Sequence, residues 1–384
     1  MFDSFQPGPT TLSGATIITP EGPIEAALRL ENGCIAGLAS SRGEGLDLTG
    51  HYLVPGVVDL HTDHVEAHIY PRNTVQWPFL PALMAHDAVV IAGGTTTVFD
   101  SLSVGASMKR PERREILEPL VASLEHGVEN GMFRADHLLH LRCEISDPAT
   151  VGLVDATIAH PLTRLVSVMD HTPGDRQSVD IDKWFNHMIH EMEIDETEGR
   201  ERMQELFDRS ARVGAEVRAH VVAAAHAKRV PLMSHDDRTE AHADQARSEG
   251  VAISEFPTTL DAARRSRTHG QAIVAGAPNF LRGGSQSGNV AVRALLEEGL
   301  VDILASDYIP RSPLEAAFAI AADNSLPYRL QDSIAMVSDR PARATGLTDR
   351  GRIEEGLRAD VVAVRLVRRQ PVVSAVWRAG KQVF

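Results

Sequence analysis

Eight short apolar segments recur between residues 55 and 342, alternating with stretches of helical periodicity. The strand candidates are Val57–Asp63, Thr95–Ser101, His137–Ile145, Leu162–Met169, Val230–His235, Ala252–Pro257, Ala272–Ala277 and Val301–Asp307. The helical patterns between them include Leu80–Ala92, Arg114–Gly127, Ala215–Lys228, Leu260–His269 and Val290–Glu298. A strand that is apolar on both faces needs cover on both faces, which is the habit of parallel sheets. Alternation with helices makes the class α/β. Eight such units over about 290 residues predict a closed (β/α)8 TIM barrel rather than an open doubly wound sheet.

The chain ends read differently. Ala15–Thr19, Glu25–Leu30 and Cys34–Leu38 are short strand patterns broken by Pro, Gly and Asn, and Asp360–Val364 and Val372–Trp377 match them near the other end. Neither end is large enough for a core of its own. The expectation is therefore one small β-sandwich domain built from residues 1–54 plus 343–384, beside a barrel spanning 55–342. One barrel connection is too long for an ordinary loop. Residues from about 177 to 228, charged and Met-rich over Trp184–Arg212, predict an inserted helical pair, either a lid or a rim decoration.

Charge narrows the partners. Among 384 residues, 38 Lys and Arg face 52 Asp and Glu, a formal net charge of −14. Nucleic acid and anionic membrane both call for a cationic surface, so neither is expected as a general partner. Two cysteines, Cys34 and Cys143, are too few for a disulfide framework and fit a reducing cytoplasm. Residues 1–11 lack a basic region followed by an apolar run, so no secretory signal is expected, and no apolar run is long enough for a membrane span. Histidine is the surplus, with 17 copies.

In a barrel the chemistry gathers at the C-terminal ends of the strands. There the sequence puts His61 and Asp63, on one face by the period of two, then Arg142 and Glu144, Asp170 and His171, His235 with Asp236 and Asp237, Glu255, and Asp307. A core has no use for such groups, because each one buried without a partner costs kilocalories. One or two divalent metal ions would satisfy them together. His61, Asp63, Glu144, His171, His235 and Asp307 are the candidate ligands. Asp170, Asp236, Asp237 and Glu255 are candidates for supporting roles, with capping or an arginine pair as the alternative.

A second theme is phosphate. Arg282, Gly283, Gly284 and Ser285 open a Gly-rich stretch running to Asn289, placed after the seventh strand and before a helix. Backbone N–H groups in such a loop can approach an anion closely. Arg72, Arg142 and Arg176 are expected on the same rim. His86, beside Asp87 after the first strand, is either a rim contact or a surface or capping residue.

These residues carry a resemblance. Val54–Asp63 resembles the first-strand signature of the amidohydrolase superfamily, and Gly351–Val362 resembles its returning C-terminal strands. His61-Thr62-Asp63 departs from the superfamily's usual His-x-His, and no lysine ends the fourth strand. Glu144 resembles the glutamate of the sugar-phosphate deacetylase branch. The longer motifs His137–Glu144, Met169–Gln177, Ser234–Asp237, Glu255–Thr259, Gly276–Asn279, Arg282–Asn289 and Ser306–Tyr308 together resemble one branch that acts in phosphonate degradation. That resemblance implies hydrolysis of a phosphorylated sugar, a ribose 5-triphosphate, to the 5-phosphate and pyrophosphate. It implies Asp307 as general base; the carboxylate and imidazole donors suit one or two divalent ions of Mn, Zn or Fe type, and a homodimer, common for such barrels, is expected. The alternatives are another activity of the superfamily (amidase, deacetylase or deaminase) and a non-catalytic part of a phosphonate-degrading complex.

Overall fold

The computed structural model describes residues 9–39, 45–72, 75–106, 110, 112–176, 180–285 and 287–384. Part of the signal-peptide reading (residues 1–8), the expected start of the insert (177–179) and Gln286 of the Gly-rich loop lie outside these residues.

One eight-stranded parallel sheet carries, in sequence order, Val57–Thr62, Thr95–Val104, Asp136–Glu144, Thr163–Met169, Leu232–His235, Ile253–Glu255, Ala272–Gly276 and Ile303–Ala305. Each is hydrogen-bonded to the next, and the first meets the last at the Thr62↔Asp307 bridge, so the ring closes into the barrel. All residues of the first and second strands are buried, as strands covered on both faces must be. The expected strands are present with shifted ends. The sixth stops at Glu255 because Phe256 turns into the left-handed region (φ 53°), and the eighth stops before Asp307 (φ 55°) for the same reason.

The chain divides into two compact units. The first holds Met1–Val98, Gly127–His137 and Ile303–Phe384; the second holds Phe99–His126 and Leu138–Asp302. In the first unit, both chain ends contribute to one six-stranded sheet. Its order is Lys381–Gln382, Gln370–Arg378, Val361–Val367, Tyr52–Pro55, Thr16–Thr19, Gly22–Glu25. A four-stranded sheet of Cys34–Ala39, Ala27–Glu31, Thr10–Ser13 and Leu46–Asp47 accompanies it. Alternation does the sorting: Leu28 and Leu30 face in while Arg29 faces out. Leu12, Ile17, Leu28, Leu30, Leu53, Val361 and Trp377 share the buried core of this sandwich-like layer. The same unit holds helices α1 (Val65–Ile69) and α2 (Phe79–Ala92).

The second unit holds α3 (Arg113–Glu129) in part, α4 (Thr150–Thr157), α5 (Ile181–Met192) and α6 (Glu196–Lys228). The expected insert is occupied by the pair α5 and α6, and α6 runs without a break through the helical pattern expected at Ala215–Lys228 as one 33-residue helix. Gly214 lies inside it, at a propensity cost of about 1 kcal/mol relative to Ala that the rest of this long helix absorbs.

Candidate metal centres at the strand ends

His61, the last residue but one of the first strand, is 1% exposed. The backbone ladder then fixes its neighbours: Asp307 N–H donates to the His61 carbonyl (2.9 Å) and Asp63 N–H donates to the Asp307 carbonyl (3.1 Å). This brings one donor atom each from His61, Asp63 and Asp307 within 4.8 Å of one another. Asp59, one turn of the pleat below, accepts from the backbone N–H of Ser306 (3.0 Å) and is lifted by burial to a pKa of about 6.

The second unit carries a constellation of its own. Donor atoms of His171, His235 and Asp236 also lie within 4.8 Å of one another. Each histidine is held from behind by a carboxylate: His171 Nδ1 meets Glu144 Oε2 at 2.7 Å, and His235 Nδ1 meets Glu255 Oε2 at 2.6 Å. Register aligns the second pair, since His235 and Glu255 are Cα partners across adjacent strands. A carboxylate on one ring nitrogen fixes the tautomer and turns the other nitrogen forward as a ligand. Asp236 Oδ2 lies 3.2 Å from His235 Nε2. Burial pulls the His235 pKa down, but Asp236 and Glu255 outweigh it and raise it, so this pocket attracts a cation. For Glu144 burial pushes the carboxyl up, and His171 with the Ser146 hydroxyl (2.9 Å) overcome it, holding it below the usual range. Imidazole and carboxylate donors with ordered supports fit a divalent transition ion.

Several expected residues take other positions. Glu144, expected as a ligand, uses its oxygens on His171 and Ser146. Arg176, expected on phosphate, is 3% exposed and donates to Asp237 Oδ1 (2.5 Å) and the His235 carbonyl (3.1 Å). Asp237 is itself fully buried and also accepts from Ser234 Oγ (2.7 Å), so it requires that counter-ion. Asp170 accepts from the Thr172 N–H (3.0 Å) as a loop turn. Arg142 is buried on the third strand, close enough to His235 to oppose its protonation. Arg72 is exposed, its carbonyl accepting from the Val75 N–H (3.0 Å).

The Gly-rich loop differs from its expected setting. A short helix, Ala277–Arg282, stands between the seventh strand and the loop, and the next helix starts only at Val292. Gly283 closes that first helix at φ 79°, with its N–H on the Phe280 carbonyl (3.1 Å) and the Gly284 N–H on the Asn279 carbonyl (2.9 Å). Those two donors therefore cap a helix C-terminus. Ser285 Oγ accepts from the Ser287 N–H (3.1 Å), and Arg282 is exposed.

His86 and Asp87 are fully buried in α2, so neither has a surface role. Asp87 accepts from the N–H groups of Arg134 (2.8 Å) and Ala135 (2.9 Å). His86 faces His64 and His68, two residues that strand-end reasoning passes over. Burial, then the neighbouring His86 and His68, bring His64 down to a pKa of about 4. The signal that could have found the pair is their i, i+4 spacing just past the first strand.

Residues 178–384 match the profile of the Amidohydrolase family. The alpha-D-ribose 1-methylphosphonate 5-triphosphate diphosphatase of Escherichia coli (strain K12) is 38% identical over 376 residues, spanning 97% of this chain and 100% of the relative. Among solved structures, the 5-methylcytosine deaminase of Klebsiella pneumoniae superposes with a TM-score of 0.64 at 17% identity, covering 98% of both chains. The dihydropyrimidinase of Brevibacillus agri gives 0.55 at 15% identity, over 97% of this chain and 94% of that one. These two likenesses concern the fold.

Proposed function

Because this chain belongs to the amidohydrolase family, we propose that it hydrolyses alpha-D-ribose 1-methylphosphonate 5-triphosphate to the 5-phosphate and pyrophosphate. The end-to-end match to a diphosphatase carries this reading. The strand-end donors supply its chemistry.

His61, Asp63 and Asp307 in one unit, and His171, His235 and Asp236 in the other, are the proposed holders of one or two divalent ions, of Mn, Zn or Fe type. When bound, such an ion supplies positive charge to the phosphoryl group and makes water nucleophilic near neutral pH. Asp307 takes the proton as a water oxygen attacks the α-phosphorus. The bond from that phosphorus to the bridging oxygen breaks, and pyrophosphate leaves with the electron pair. Glu144 and Glu255 keep the two imidazoles oriented. Arg72, Arg142, Arg282 and Ser285 are the proposed phosphate contacts, and Arg176 holds Asp237 and the His235 carbonyl in place behind the metal site. Among the described residues no helix is long and apolar enough to cross a membrane. A cytoplasmic homodimer belongs to the same proposal, and light scattering tests its second half.

The direct test is pyrophosphate release from the ribose triphosphate. Chelation followed by metal return should abolish and restore it, and Asp307→Asn should lower kcat by about 100-fold or more, the scale of a lost general base. Turnover that survives both treatments would sink the metal and base assignments, and no turnover of the triphosphate by metal-loaded enzyme would sink the substrate.

A further inference from the structure

We propose that His64, His68 and His86 form a second kind of metal site, for a divalent transition ion, apart from the strand-end centres. One ring nitrogen from each lies within 4.8 Å of the others. His64 is the N-cap of α1 and His68 stands four residues on, so both point along one face of that turn. His86 comes from α2 and is fully buried. The ring centroids are 4.9 Å apart for His64 and His68, 5.9 Å for His64 and His86, and 6.0 Å for His68 and His86.

Packing alone does not account for this trio. His64 Nδ1 and His68 Nε2 are buried and make no hydrogen bond to any described residue. A polar nitrogen left that way costs about 1–3 kcal/mol, and both belong to rings that each bring a nitrogen within 4.8 Å of the others. Ring-on-ring contact leaves both unsatisfied. A single cation bound between the rings satisfies both. The donor chemistry narrows its identity: three imidazoles with no carboxylate among them select Zn²⁺, Co²⁺, Ni²⁺ or Cu²⁺ over the oxygen-seeking Mg²⁺ and Ca²⁺. Three protein ligands also leave a fourth tetrahedral position for water or an anionic oxygen. The ion would clamp α1 to α2, stiffening the segment that follows His61 and Asp63.

The site stands independently of the hydrolase reading, and its test does not read turnover. The full chain is stripped with chelator, loaded with Zn²⁺, desalted and measured for bound zinc. The double variant His64→Gln/His68→Gln should hold one equivalent less than the wild type, with zinc affinity of the missing site reduced at least about 100-fold, the scale of lost ligand interactions. Equal zinc content in a folded variant overturns the site. Should the variant not fold, zinc-edge anomalous diffraction from wild-type crystals decides the matter. A peak about 2.1 Å from one ring nitrogen each of His64, His68 and His86 supports the site. The absence of a peak there at saturating zinc overturns it.

Discussion

Asp236, Phe256 and Asp307 have positive φ values of 57°, 53° and 55°, and each follows the end of a barrel strand by one or two residues. Left-handed backbone costs a non-glycine residue about 1–2 kcal/mol, so at each of these strand ends the surrounding structure holds the residue against its conformational preference. The carboxylates behind the imidazoles lead to a sharper expectation. Glu144→Gln keeps the shape and a hydrogen-bonding oxygen but removes the charge that fixes His171. Metal affinity should fall about 10- to 100-fold with the fold intact, as read by competition with a fluorescent chelator. Unchanged affinity would mean that Glu144 serves only Ser146. Residue types at strand ends were readable because a barrel gives every strand end the same address. Roles were not. His140 sits on the third strand as His61 sits on the first, yet its two nitrogens are occupied by Ser101 Oγ (3.0 Å) and Ser167 Oγ (2.9 Å), which makes it a structural bridge. Cross-strand partners, invisible in the linear chain, separate a bridge from a ligand.

At the scale of elements, helices were legible where apolar period and caps agreed. Asp180 and Asp195 cap α5 and α6 through the Lys183 and Glu198 N–H groups, both at 2.9 Å. What the pattern could not show is how closely the two helices approach. A Cβ on Gly199 would lie 2.5 Å from Ile189 Cγ2 and 3.1 Å from Phe185 Cε2. Helix propensity favours Gly199→Ala by about 1 kcal/mol. Overpacking opposes it by about 1–3 kcal/mol, so the contact should win. The variant should loosen α5 from α6, seen as faster amide exchange across residues 181–192. A gain in protection there would show that Ile189 moves aside freely. The Gly-rich loop teaches the opposite lesson. Its composition suited an anion, but Ala277–Arg282 is long enough for one helical turn and takes two of the loop's donors for its own cap.

For the whole molecule, the pairing of the two chain ends was legible because each end had strands without a core. The pairing order was not, since Val361–Val367 lies antiparallel to Tyr52–Pro55 only through contacts more than 300 residues apart. The C-terminal segment also latches onto the start of the third barrel strand. Asp136 Oδ2 accepts from Arg350 (2.7 Å) and Arg358, and Oδ1 accepts from Arg378 (2.9 Å). Burial pushes the Asp136 carboxyl up, but Arg358, Arg378 and Arg350 outweigh it and bring its pKa down to about 2. A folded pKa below the unfolded 3.8 means that this stabilisation is complete above about pH 4 and fades as pH falls through 2. The displacement corresponds to about 2 kcal/mol. Asp136→Asn should therefore be less stable than wild type by about that much at pH 7, and the gap should shrink as pH drops below 4. Urea unfolding of both proteins from pH 7 to 3 measures it. A gap that stays constant across that range would mean the latch holds by shape and hydrogen bonding, with no contribution from the carboxylate's charge.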